Sequence, residues 1–238
     1  MLGRHLKGHL FLFDSKPSPG LSSSSGLRLL LIFLLLEAVL GPRLSLLDRL
    51  GFPSPAAWVR VPVLLGLASL LVRFFAGVKF VQIGLIAWRS WSVTEVSYFL
   101  QVLVIANVTF VILFADQLRI ILSNSALWGP AALAIFTNLL WGFYQELVYR
   151  GILQTELVRR WGTVPGILVA NTLFTFGPLH YYHFSRNETG QAWPMFAGIF
   201  LIGLFFSVLF RRSDNLWIVG TLHGLGDCYL DGLAPLGH

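Results

Sequence analysis

From residue 27 onward the chain alternates long apolar runs with short polar or charged connections. A helix needs about 20 apolar residues to cross a hydrocarbon core ~30 Å thick. Judged against that length, seven runs predict helices: 27–47, 57–78, 96–122, 127–158, 164–182, 193–210 and 216–230. The first is the weakest, because Glu37, Pro42 and Arg43 interrupt it. Residues 79–91 are amphipathic and predict a segment lying along the membrane interface, anchored by Trp88 and Trp91. Residues 1–26 read as a flexible leader, with Lys16-Pro17-Ser18-Pro19-Gly20 and Ser22 to Ser25 as linker. Its His5 and His9 read as surface histidines. No small-x-small site follows the first apolar run, so no cleaved signal peptide is expected. No internal repeat and no second domain are visible.

Composition narrows the class. Of 238 residues, 55% are hydrophobic and 12% charged, and the mean hydropathy is +0.72. A single soluble core of this size cannot hide so much apolar surface, and a disordered chain would be polar or charge-rich. Cys228 is the only cysteine, which excludes a disulfide scaffold. The expected fold is all-α: a polytopic integral membrane protein of about seven transmembrane helices.

The net charge of +6 does not predict a nucleic-acid partner, because the basic residues sit singly or in pairs between apolar runs. With the N-terminus inside, eleven of the 17 Lys and Arg fall on the inner side, including Arg73, Lys79, Arg89, Arg159, Arg160, Arg211 and Arg212. Five fall outside: Arg43, Arg49, Arg60, Arg119 and Arg186. That bias predicts an N-in, C-out orientation.

Charge inside a bilayer is costly, so each intramembrane ionisable residue needs a reason. Asp116 and Arg119, three apart, read as a local ion pair at the interface. Glu37 and Glu95 read as structural. Three other groups stand out. Glu146 and Arg150 are four apart on one helical face, and an internal ion pair would make both tolerable. In Phe176-Gly177-Pro178-Leu179-His180, Pro178 cannot donate to the carbonyl of Phe174, so the helix should bend and set His180 on a distorted turn. His183 is a weaker candidate for the same role. His223 and Asp227 are again four apart, and Gly220 with Gly224 forms a small-xxx-small pair that permits close helix approach. An imidazole and an acid on one face suit acid–base chemistry as well as a buried pair. Glu146 lies about 15 residues, or ~22 Å, before the 159–162 connection, and His180 about 17 residues, or ~25 Å, after it. Two antiparallel helices therefore bring them to similar depth.

These residues resemble the CPBP (CaaX protease and bacteriocin-processing, or abortive-infection) family of intramembrane endopeptidases. The family pattern is Glu-Glu-xxx-Arg, Phe-xxx-His and His-xxx-Asn/Asp on three helices. The matches are Gln145-Glu146-xxx-Arg150, Phe176-xxx-His180 and His223-xxx-Asp227, within residues 127–230. On that resemblance the chain divides into the leader 1–26, N-terminal transmembrane helices 27–126, a catalytic core 127–230 and a tail 231–238. The resemblance implies a glutamic-type mechanism without a cofactor. His180 would help orient and deprotonate water, His223 and Asp227 would bind the oxyanion or position the carbonyl, and Arg150 would hold the glutamate region. The substrate would be a membrane-anchored protein or a lipid-anchored or C-terminal-signal peptide. The implied location is a bacterial cytoplasmic membrane. The depth of the site, nearer the outer face, favours the branch that acts on sorting signals over the branch that acts on prenylated CaaX tails.

The resemblance has one departure. Gln145 stands where the family has its first glutamate, and an amide has no useful basicity. Three readings follow: Glu146 serves as base, although it points about 100° away along the helix; Gln145 inactivates the enzyme; or the chain is a non-catalytic scaffold or immunity protein that binds clients without cutting them. Glu146, His180 and His223 could also supply three zinc ligands, although no His-Glu-x-x-His is present.

Overall fold

The computed structural model describes residues 20–40, 55–180 and 189–237. His5, His9, Pro42, Arg43, Arg49, His183 and Arg186 lie outside these residues. The described residues are helical, with no strand among them. In chain order the helices are α1 (Ser23–Leu34), α2 (Ala57–Leu70), α3 (Val93–Leu113), α4 (Ala115–Ser123), α5 (Trp128–Glu146), α6 (Thr155–Trp161), α7 (Thr163–Phe176), α8 (Thr189–Ser213) and α9 (Leu216–Asp227). π-helical turns extend α1 (Leu35–Val39), α2 (Leu71–Phe75) and α9 (Cys228–Leu233), and another, Leu147–Gln154, joins α5 to α6.

Among the described residues, four stretches are long and apolar enough to cross a membrane: Ala57–Phe75, Val93–Leu113, Ser125–Trp161 and Ala192–Ser213. The helices α1, α7 and α9, which fall in the first, fifth and seventh apolar runs, are shorter. α3 is apolar all round and exposes Val104, Ile105, Val108 and Ile112, as a helix wetted by lipid does. The chain is thus an all-α integral membrane protein.

Three elements differ from the sequence expectation. The run 96–122 is two helices, broken at Phe114, whose φ of −112° and ψ of 27° are not helical. Asp116 and Arg119 follow the break on α4, 3.5 Å apart and both exposed, so the pair is the local one expected. Residues 79–91 form two short 3₁₀ turns, Phe80–Ile83 and Trp88–Ser90, instead of a continuous amphipathic segment. Gly84 ends the first turn at φ 83°, a conformation that side chains resist. Trp88 stacks on Trp91 at 4.2 Å, and Trp217 Nε1 donates to the Ile86 carbonyl at 3.0 Å. Finally, α7 does not bend at Pro178 but stops at Phe176, with Gly177 extended.

Two contacts place α5 at the centre. On one side it crosses α9 at glycines: a Cβ on Gly142 would fall on the Gly224 backbone, and one on Gly224 would lie 2.5 Å from the Leu139 carbonyl oxygen. The close approach expected from Gly220 and Gly224 is therefore present. On the other side, Tyr149 donates its hydroxyl to Glu37 Oε2 at 2.7 Å, which gives the buried Glu37 its structural role. Glu95 is structural too, completing a capping box with Ser92. At the end of α6 the buried Glu156 carboxylate binds both Arg159 and Arg160. Gly224→Val should force α5 and α9 apart and cost ~1–3 kcal/mol, the usual range for overpacking; a thermal melt in detergent should shift down accordingly.

Candidate active site

The site is assembled where α5 gives way to its π-helical turn. A π turn closes i→i+5 hydrogen bonds and rotates the side chains that follow it, and such turns recur at functional positions. Here it follows Gln145 and Glu146 and carries Tyr149 and Arg150. α9 brings His223 and Asp227 across the glycine contact, and the short turn after Gly177 brings His180.

Glu146 is fully buried. Its Oε1 lies 2.6 Å from His223 Nδ1, and its Oε2 lies 3.2 Å from Arg150 Nε. The expected internal pair between Glu146 and Arg150 is present and extends to a third residue. Arg150, 1% exposed, also donates from Nη2 to the Gly203 carbonyl of α8 at 2.8 Å and lies with Cζ 4.1 Å over the Phe174 ring. Buried charges are tolerable only when paired in this way. His223 Nε2, on the other edge of its ring, is 3.7 Å from Asp227 Oδ1. Gln145 Nε2 donates to Asp227 Oδ2 at 3.1 Å.

His180 Nδ1 lies 2.7 Å from the Phe174 carbonyl oxygen. That is the carbonyl that Pro178 leaves without a helical donor. A carbonyl only accepts, so Nδ1 carries the hydrogen. In the neutral ring, Nε2 then keeps its lone pair. The break in α7 thereby sets the tautomer of the histidine.

The aromatic residue at the centre of the site is Phe174, which the motif reading passed over. Its ring meets His180 edge-on at 4.7 Å, Tyr149 at 5.2 Å and His223 at 5.9 Å, besides covering Arg150. Phe176, the aromatic of the expected motif, is half-exposed and stacks on Phe196 at 5.4 Å. Only the Phe174 carbonyl was legible in the sequence, through its offset from Pro178.

A cavity of about 660 Å³ opens beside these residues. Gln145, His180, His223 and Asp227 line it, together with Asp231, which the sequence reading had placed in the tail. The rest of the wall is apolar: Val102, Ala106 and Phe110 from α3 face Ile199, Ile202 and Phe205 from α8. Neither Glu146 nor Arg150 is part of the wall. The expected residues therefore occupy two layers, an inner Glu146–Arg150 pair and an outer set that can touch a ligand. Among the described residues, no three His, Cys, Asp or Glu side chains are grouped to hold a metal ion.

A helical membrane protein with a paired glutamate and arginine beneath two histidines, open to an apolar cavity, is the class that fold and site define. Residues 127–229 match the model of the family described as Rce1-like, type II CAAX prenyl endopeptidase. The match spans a little under half of the chain, and the resemblance read from the three motifs is borne out. Neither a curated protein nor a solved structure matches the chain.

Proposed function

We propose that this chain is an intramembrane endopeptidase of the CAAX type, cutting a peptide bond near the C-terminus of a prenylated or otherwise membrane-anchored protein. The observation that carries the reading is the wall of the cavity. His180, His223, Asp227 and Gln145 converge on a space that is otherwise mostly apolar. At about 660 Å³ it is within the range of pockets that enclose a small ligand.

The chemistry is water attack on a carbonyl. Neutral His180 accepts a hydrogen bond from the water through Nε2, its ring held by the Phe174 carbonyl. His223 lies between the carboxylates of Glu146 and Asp227. In its protonated form it balances Asp227 as Arg150 balances Glu146, which suits a low-dielectric site. From that position it donates to the oxyanion that forms as water adds. Glu146 and Arg150 act behind the wall as positioning residues.

Of the two substrate classes, the Rce1-like match supports the prenylated CAAX tail over the sorting signal. An isoprenoid chain suits the apolar walls from α3 and α8. The basic-residue bias supports an N-in orientation, and a bacterial cytoplasmic membrane is the proposed location. A non-catalytic scaffold rests on Gln145 alone, and that residue is engaged with Asp227 on the cavity wall.

The test is cleavage by the full chain in phospholipid vesicles. Two peptides with the same CAAX tail, one farnesylated and one not, are followed by mass spectrometry. The farnesylated peptide should be cut at least tenfold faster. Equal rates would contradict the prenyl assignment, and no cleavage of either would contradict the protease reading.

A further inference from the structure

We propose that a second, smaller pocket beside the cavity binds the C-terminal carboxylate of the substrate tail, with Arg60 as its cation. The proposal rests on the protease reading above and adds where the tail ends. An ionised carboxylate is costly in hydrocarbon or in an apolar pocket unless a partner meets it. The large cavity suits one poorly. Among the described residues its wall includes neither lysine nor arginine, and Asp227 and Asp231 would repel a terminus placed there. Its two histidines serve the water and the reacting carbonyl. The smaller pocket, of about 180 Å³, is lined by Arg60 together with Thr137, Asn138 and Trp141. A guanidinium carries five N–H donors, so it can clasp both oxygens of a carboxylate and still keep other contacts. Thr137 adds a hydroxyl. Asn138 gives one amide hydrogen to the Ala134 carbonyl at 2.9 Å, and its amide carries a second.

The two pockets meet on one face of α5. Asn138, Trp141 and Gln145 are spaced three and four apart, so they share that face. Gln145 lines the large cavity, Asn138 the small pocket, and Trp141 both. Trp141 is buried and stacks on Tyr144 at 5.7 Å, which makes it a fixed ring between the two. Seven residues of helix separate Asn138 from Gln145, or ~10 Å along the axis. In a CAAX tail three residues follow the cysteine, and fully extended they cover ~10 Å. A scissile bond held at Gln145, His180 and His223 therefore sets the terminus at Arg60. α2 packs against α5 and carries Arg60 near the start of the apolar stretch Ala57–Phe75. At the end of a span a charged group is least costly, because water is within reach. Such a site reads the end of a chain and so distinguishes a C-terminal tail from the same residues inside a longer sequence.

The experiment uses the full chain in vesicles with two farnesylated CAAX peptides, one ending in a free carboxylate and one in a carboxamide. Wild type should cut the carboxamide with KM raised at least about tenfold, the effect of losing a charge-assisted hydrogen bond, and with kcat within about threefold. Arg60→Gln should raise KM for the acid to the same level and leave the carboxamide nearly unchanged, so that the preference disappears. Loss of an arginine with only a structural role would affect both peptides alike. Thr137→Asp, which sets a carboxylate against the incoming one, should also remove the preference, and it decides if Arg60→Gln does not fold by its melting curve. A wild type that cuts both peptides with equal KM would overturn the inference alone. So would a folded Arg60→Gln or Thr137→Asp variant that keeps the full preference for the acid. A wild type inert on both peptides overturns the protease reading and this inference with it.

Discussion

Replacing Glu146 with alanine is expected to abolish cleavage and to destabilise the core together. Arg150 is 1% exposed, and Glu146 supplies its facing carboxylate at 3.2 Å. Removing one partner of a buried pair leaves an uncompensated charge and costs about 3–5 kcal/mol. Against a total stability of roughly 5–15 kcal/mol, that is a large share. The same carboxylate accepts from His223 Nδ1 at 2.6 Å, so the mutation also frees the histidine to rotate away from the cavity. Glu146→Gln should be milder in stability, because an amide oxygen still accepts from His223, but the Arg150 charge stays unbalanced. Melting followed by circular dichroism at 222 nm should rank the proteins wild type, Glu146→Gln, then Glu146→Ala. If Glu146→Ala melts with wild type, the inner pair does not support the site as described.

His180→Ala is expected to separate activity from stability. His180 acts from the end of a broken helix, where it bonds the Phe174 carbonyl and packs on the Phe174 ring. Leaving one carbonyl without its donor costs ~1 kcal/mol or somewhat more. Losing a positioned base or water-orienting group typically costs 10²–10⁴ in rate. The variant should therefore melt within a few degrees of wild type yet turn over the farnesylated peptide at least about 100-fold more slowly. A His180→Ala protein that keeps a tenth of wild-type kcat would remove His180 from the chemistry.

The contrast between those two variants reflects how differently the parts of the site show in the sequence. Glu146 with Arg150 and His223 with Asp227 were legible because charge is rare in this chain, and a spacing of four places both members on one face. The different facing of Gln145 and Glu146, about 100° apart, also follows from helix geometry, and in the structure one lines the cavity while the other lies behind it. The glycines of α9 announced a close crossing, although not that Gly142 of α5 would meet Gly224. Other features left no signal. The π-helical turn at Leu147–Gln154 uses residues that would serve equally in an α-helix, since only the hydrogen-bond register changes. The break at Phe114 has neither proline nor glycine and sits inside a continuous apolar run. Phe174 resembles every other phenylalanine of a membrane helix until its neighbours are known. Asp231 lay just past the last apolar run and reached the cavity only because α9 continues in a π turn.

The central claim is that this chain, with Gln145 in place, is a working protease. The most direct measurement is single-turnover cleavage of the farnesylated CAAX peptide by wild type and by Gln145→Glu, side by side in vesicles. Wild type is expected to cut the peptide, and Gln145→Glu to give no more than a modest gain, because Gln145 is already engaged with Asp227 on the cavity wall. An inert wild type beside a Gln145→Glu variant that cuts would contradict that claim.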